Sequence, residues 1–468
     1  MKQHNYNDEK RMKVLVSEYE AMSQEGTVGF YEKTVFNRLI EYYEDKNSPE
    51  KALEVIEHAL SQHCYSVGFY LRKLRLLLDR DSAQEALTCL ETAESYAPNN
   101  FELQLLKIEA LTKLSYYRDV FDLIDRLRAT TFGQELAELC YAEAIVFELM
   151  DQYERMFFSL QECLRIHPRH ERAAQRILWA TEFSGKYEES IELHQSIIDE
   201  DPYLAAAWYN LGHAYSSLEE FALAIEAFEY AFIIDKGHEY AYRECAETCI
   251  QIGRFEKALQ CYEEVLEHIE ADSDLLTKIG YCYESLNDVN LAKSFYLRAV
   301  KIDPQNSEVH FRMGECYSRE QRWESAIGCY EKALHLNGRR EEYLAAIGEA
   351  YFQVDNDEKA AFFFQKAADT APETTKYWIQ YASFLMDTGA IEMALDTLDE
   401  AGQFSEGTEL LYCRIACLFQ LGRRKEALYL LGQALSENFS MHDALFDLIP
   451  TLENDRDIKA VIATYRAA

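Results

Sequence analysis

Basic residues are scarce beside acidic ones: 47 Lys and Arg stand against 82 Asp and Glu in 468 residues, a formal charge of −35. Neutralising a nucleic acid backbone or an anionic lipid surface takes clustered Lys and Arg, so this deficit argues against both as partners. No apolar run approaches the ~20 residues of a membrane span. The opening MKQHNYNDEKRMKVLV has no apolar core of signal-peptide length. These absences lead to the expectation of a soluble, cytoplasmic chain. No Gly, Ser or Pro tract is long enough for a domain linker, so no separate domain is expected to carry chemistry. A glycine-rich phosphate loop is missing too, since the stretch around Gly185 lacks the further glycines and the Lys such loops need.

What is present is a folded composition. Apolar residues make up 48% of the chain, too many for a disordered acidic one. The twelve cysteines are ordinary usage. Cys245, Cys249, Cys282 and Cys316 fall on expected first helices and Cys261 and Cys329 on second helices, in places where neighbours carry apolar residues. Packed, reduced thiols suit a reducing compartment.

One stretch explains that placement. From Ala205 the chain reads AAAWYNLGHAYSSLEEFALAIEAFEYAF, with large apolar residues at helical spacing on both sides of a short turn. Gly212, Tyr215, Ala224 and Ala231 recur 68 residues on as Gly280, Tyr283, Ala292 and Ala299. Two further steps of 34 residues give Gly314, Tyr317, Ala326 and Ala333, then Gly348, Tyr351, Ala360 and Ala367. The unit resembles a tetratricopeptide repeat. That resemblance implies an all-α, right-handed superhelical solenoid of about twelve helix-turn-helix repeats with end caps, in place of the two or three globular domains that the length alone would suggest.

Residues 1–32 lie outside the register, and Arg11 to Gln24 reads as one capping helix stopped at Gly26. The array runs over 33–436. Pro98, Pro168, Pro202, Pro304 and Pro372 share one slot at the close of their repeats, which carries the register through repeats four and five where the side-chain pattern fades. The third repeat runs two residues long, and Ile108 in its glycine slot predicts looser packing there. The twelfth drops one residue near Gly422. Residues 437–468 are read as two capping helices, Met441–Leu452 and Asp457–Arg466, with Pro450 bending or ending the first. An incompletely capped end would expose apolar surface and permit self-association.

The family's pattern places the second, fifth, ninth, twelfth and thirteenth residues of each repeat on a concave groove that holds partner peptides or helices. Carried over residue by residue to repeats five to nine, it selects Arg172, Gln175, Trp179, Tyr209, His213, Tyr240, Arg243, Tyr281 and Phe311 as candidate contacts. Aromatic side chains suit anchoring because they offer large contact area at low entropic cost; the alternative is packing against the next repeat. Groove charge is mixed and names no ligand sign. The family's two-carboxylate clamp needs Lys at the fifth and Asn at the ninth position of one repeat; Asn210 fills a sixth position, but Gln175 and Trp179 stand where the Lys and Asn belong.

The pairs Cys245/Cys249 and Cys413/Cys417 offer two ligands each where zinc needs three or four, so no metal is expected; the second pair sits on groove slots and would be reactive if exposed. His213 has no nucleophile suggested beside it and reads as a contact residue. The expectation is a non-catalytic scaffold or adaptor without cofactor that binds protein partners. The alternative is a regulatory or targeting subunit of a larger complex.

Overall fold

The computed structural model describes residues 2–25, 29–268, 270–405 and 407–466, and every regular element among them is helical. The chain divides into two compact units, Met1–Thr248 and Cys249–Ala468. In the first, α1 (Lys2–Gln24) precedes six helix pairs: α2 (Lys33–Asp45) with α3 (Pro49–Gln62), α4 (Val67–Asp79) with α5 (Ala83–Tyr96), α6 (Phe101–Lys113) with α7 (Tyr117–Arg128), α8 (Gln134–Leu149) with α9 (Tyr153–Ile166), α10 (Glu171–Ser184) with α11 (Tyr187–Glu200), and α12 (Ala205–Ser217) with α13 (Phe221–Ile234). The division falls inside α14 (Glu239–Gln251). The second unit continues with α15 (Phe255–His268) and five pairs: α16 (Ser273–Ser285) with α17 (Val289–Ile302), α18 (Ser307–Arg319) with α19 (Trp323–Leu336), α20 (Glu341–Phe352) with α21 (Asp357–Thr370), α22 (Thr375–Asp387) with α23 (Ile391–Ala401), and α24 (Thr408–Gln420) with α25 (Arg424–Glu437). Counting α14 and α15 as the seventh, twelve helix pairs follow the sequence register among the described residues.

The turn inside each repeat closes through one residue in the left-handed region, always at the same slot. Asn47, Asp81, Ser115, Asp151, Gly185 and Glu219 occupy it in the first unit, and Gly253, Asn287, Gln321, Asp355, Gly389 and Gly422 in the second. Gly, Asn and Asp tolerate that backbone best, and nine of these twelve are of those kinds, Ser115, Glu219 and Gln321 being the other three. The proline slot also does more than end a helix. The Trp208 indole N–H donates to the Pro202 carbonyl at 2.9 Å, and Trp378 donates to that of Pro372 at the same distance, so the sixth and eleventh repeats are tied to the ones before them.

Within a repeat, the glycine slot of the first helix faces the twenty-fourth residue, on the second. A Cβ on Gly212 would lie 2.7 Å from the Phe228 ring, one on Gly280 2.5 Å from the Tyr296 ring, and one on Gly348 3.0 Å from that of Phe364. Gly314 meets Tyr330 in the same way. Only a bare backbone admits those rings. The third repeat is not looser, contrary to expectation: Ile108 is buried together with Ile124, because the ring is replaced there by an aliphatic side chain that fits beside another. The two extra residues fall in the connection after α7, and α8 starts ahead of the register at Gln134.

Both ends differ from the sequence reading. α1 begins at Lys2 rather than Arg11, while the stop at Gly26 lies outside the described residues. Its Val16 and Tyr19 join Phe36, Leu39 and Ile40 in one cluster, and the Tyr19 hydroxyl is 2.6 Å from His58 Nδ1. At the other end the expected helix Met441–Leu452 is broken into a 3-10 turn at Phe439–Met441, the short α26 (Ala444–Leu448) and a second 3-10 turn at Pro450–Asn454. Pro450 accounts for the end of α26, since it brings no N–H and its ring keeps Ile449 out of the helical region, at φ −137° and ψ 86°. α27 (Arg456–Arg466) follows; α26 packs on α24 and α27 on α25.

Candidate functional site

First helices α6, α8 and α10, with Arg75 of α4, line a groove of about 500 Å³ on the first unit. Leu105, Ile145 and Leu149 give it an apolar lining. Its cations are engaged by acids. Arg75 pairs with Glu102, Arg172 with Glu138 at 2.8 Å, and Arg176 with Glu148. Lys113 donates to the Leu78 carbonyl at 2.9 Å and lies 3.4 Å from Asp81. Arg172 also covers the Tyr141 ring, 4.6 Å from its centroid, and that ring lies against His170. Glu109 differs from its neighbours. It makes no ion pair among the described residues, and although its own surface is exposed, the groove walls around it raise its carboxyl by desolvation, with Asp79 adding to the rise and Lys113 opposing it.

The structure separates the nine sequence candidates into two kinds. Arg172, Gln175, Trp179 and Tyr240 are exposed, Trp179 at 65% and Tyr240 at 68%. Trp179 stacks with Phe183, itself stacked with Tyr153, which makes a continuous aromatic run from α10 to the start of α9. Tyr209 is half-buried, 4.8 Å from the His238 ring and 5.8 Å from that of Phe228, and burial raises its hydroxyl pKa. His213 is half-buried with Nδ1 lacking a partner; burial lowers its pKa, and Glu182 offsets part of that. Arg243 is tied to Glu239 on its own helix at 2.8 Å.

In the second unit, Tyr281 is half-buried under Arg312, whose guanidinium carbon is 4.8 Å from the ring centroid. Phe311 stacks on Tyr343 of the next repeat at 4.7 Å. Phe311 also lines a groove of about 510 Å³ with Glu315, Glu342, Glu349 and Lys376, floored by Ala345 and Ala346. Much of its polarity is internally satisfied: Glu315 accepts from the Tyr330 hydroxyl at 2.5 Å and Glu349 from the Gln353 amide at 2.8 Å.

Sequence reasoning passed over the groove at repeats three and four because their motif residues are weak. The positional rule alone finds it: Leu105 and Glu109, like Tyr141 and Ile145, are fifth and ninth residues of those repeats. Asn210 is spent on structure, donating to the Ala174 carbonyl at 2.9 Å and so joining adjacent repeats. Cys413 and Cys417 are buried rather than exposed, with burial pushing their thiols up to about 12 and about 11. α26 packs on their helix and its Leu445 joins their cluster, so these two groove slots of the last repeat are covered. Among the described residues no group of three or more His, Cys, Asp or Glu could hold a metal ion, and no helix is long and apolar enough to cross a membrane.

Paired helices with a glycine-to-ring contact, a left-handed turn slot and a proline slot define a helix-pair repeat solenoid. Residues 205–236 match the tetratricopeptide repeat family model, and residues 245–368 match that of the psidin N-terminal TPR repeats region. Over those residues the chain is built of tetratricopeptide repeats. It is 25% identical over 286 residues to superkiller protein 3 of Schizosaccharomyces pombe, covering 55% of this chain and 20% of that one. To anaphase-promoting complex subunit 3 of the same organism it is 22% identical over 244 residues, 50% of this chain and 35% of that one. The chain thus spans about a third or less of the length of these curated relatives. The solved APC/C hetero-tetramer Cut9–Hcn1 is similar at a TM-score of 0.39 and 11% identity, over 93% of this chain and 96% of that one.

Proposed function

We propose that this chain is a protein-interaction scaffold or adaptor, without catalysis of its own, that holds partner peptides or helices against its first helices. In this reading residues 33–436 are the binding array, 1–32 and 437–468 are its caps, and the protein works in the cytoplasm. The observation that carries the proposal is the exposed aromatic run of Trp179 and Phe183, beside a groove whose lining is apolar and whose cations are already engaged. Preformed helices present that surface with little left to order on binding, which favours multipoint recognition. A role as a subunit of a larger complex is the second reading, favoured by the likeness to an anaphase-promoting complex subunit.

The test compares the intact chain with a Trp179→Ala, Tyr240→Ala variant in a native-lysate pull-down read by mass spectrometry. Both side chains are exposed, so helix content by circular dichroism should not change. Partners lost from the variant support the assignment and indicate the pathway. Partners retained equally move binding away from this face.

A further inference from the structure

Among the described residues, the groove of the first unit has one lining charge that is in no ion pair, Glu109, and its sign favours a cationic ligand. Four cations line it, and each is engaged: Arg75 by Glu102, Lys113 by Asp81, Arg172 by Glu138 and Arg176 by Glu148. Of the acidic residues lining the groove, Glu102 and Glu138 are consumed in those pairs. Glu109 is left over. It stands one turn before Lys113, whose ammonium is turned away to the Leu78 carbonyl and Asp81. Around Glu109 lie Leu105, Ile145 and Leu149, the last 57% exposed.

We propose that this groove binds a peptide segment that presents a single Lys or Arg next to a bulky aliphatic or aromatic side chain, the cation meeting Glu109 and the apolar group meeting Leu105, Ile145 and Leu149. The inference rests on the scaffold reading above and names the chemistry of the partner at this surface. Glu109 is exposed and so within reach of an incoming ammonium or guanidinium, and the apolar groove walls of Leu105, Ile145 and Leu149 limit the water that screens such a pair. A ligand anion would have to displace Glu138 or Glu148 from an arginine that already holds it. A polybasic segment finds only one open site here, so one cation per segment is sufficient. The net charge of −35 favours the approach of basic segments without setting their register.

The experiment selects a phage-displayed random dodecapeptide library on the full-length chain, on its Glu109→Gln variant and on its Leu149→Gln variant. Glu109→Gln keeps size and helix propensity, and Leu149 is exposed, so both variants are expected to fold, which circular dichroism checks. The expected result is enrichment of Lys or Arg beside Leu, Ile or Phe on the wild type, loss of the cation preference alone on Glu109→Gln, and weaker enrichment overall on Leu149→Gln. Fluorescence anisotropy with the selected peptide and a copy carrying norleucine for the cation should show about a tenfold affinity difference on the wild type, equivalent to about 1.4 kcal/mol, and none on Glu109→Gln. A consensus without a cation, or one that survives Glu109→Gln, overturns this inference; if that consensus still depends on Leu149, the scaffold reading stands. Absence of any enriched peptide on the wild type overturns the ligand class and the use of this groove together.

Discussion

Repeats one to four differ from repeats six and eight to ten in how they fill the same space. In the early repeats the glycine slot and the twenty-fourth position hold Ile40 with Ile56, Leu74 with Leu90, Ile108 with Ile124, and Ala144 with Leu160, each pair buried within one cluster. Later, Gly212 lies under Phe228, Gly280 under Tyr296, Gly314 under Tyr330 and Gly348 under Phe364. The early repeats fill the space with one aliphatic side chain from each helix, and the later ones with a ring laid over bare backbone. Repeat five is the seam, with Leu178 in the glycine slot and His194 in the ring slot. His194 is buried, and neither ring nitrogen has a hydrogen-bond partner among the described residues.

The largest break in this pattern is expected from Ile108→Gly. It leaves a cavity beside Ile124 and puts glycine inside a helix, for a loss of about 4 kcal/mol. Adding Ile124→Tyr should restore more than about 1 kcal/mol by recreating the later arrangement. Urea melts of the single and double variants measure both, and strict additivity would show that the slots are not coupled. Next comes Gly280→Leu, which drives a side chain into the Tyr296 ring and should cost about 3 kcal/mol. An unchanged melting temperature would refute the register.

A smaller effect belongs to the seam. Burial alone lowers the His194 pKa to about 3. The unfolded chain takes up a proton there below about pH 6.5 while the folded chain refuses it. Stability therefore falls as pH drops from about 6.5 toward 3, by about 2 kcal/mol at pH 5 from this residue. His194→Leu, the early-repeat choice, should flatten that part of the pH profile, and an unaltered profile would remove His194 as its source. The smallest effect comes from the turn slot, which both regions share. Ser115 holds φ +60°, so Ser115→Gly relieves backbone strain at some cost in chain entropy, for a gain of about 0.5 kcal/mol seen as a slightly higher melting temperature.

The register was legible because it is periodic: the proline slot located repeats four and five even where side chains were uninformative. Ile108 was misread because a single position says nothing about its partner across the helix pair, and Ile124 lies 16 residues away. The candidate contacts were legible as positions on a helix, which is why Trp179 and Tyr240 are exposed as expected. Their neighbours were not legible: Tyr209 and Phe311 occupy the same fifth position, yet His238 and Tyr343 of the following segment half-cover them. The burial of Cys413 and Cys417 was likewise not legible, since it depends on α26 packing on their helix.

The amino-acid sequence alone determined the all-helical repeat, its period, the turns and the side of each helix that faces its partner, because these follow from spacing along one chain and from the backbone preferences of Gly and Pro. Tertiary structure decided which rings are free, which cations are already paired and that Glu109 alone among the groove's lining charges is not. Those outcomes depend on distances between residues about 30 positions apart, and no local rule of propensity or periodicity contains them.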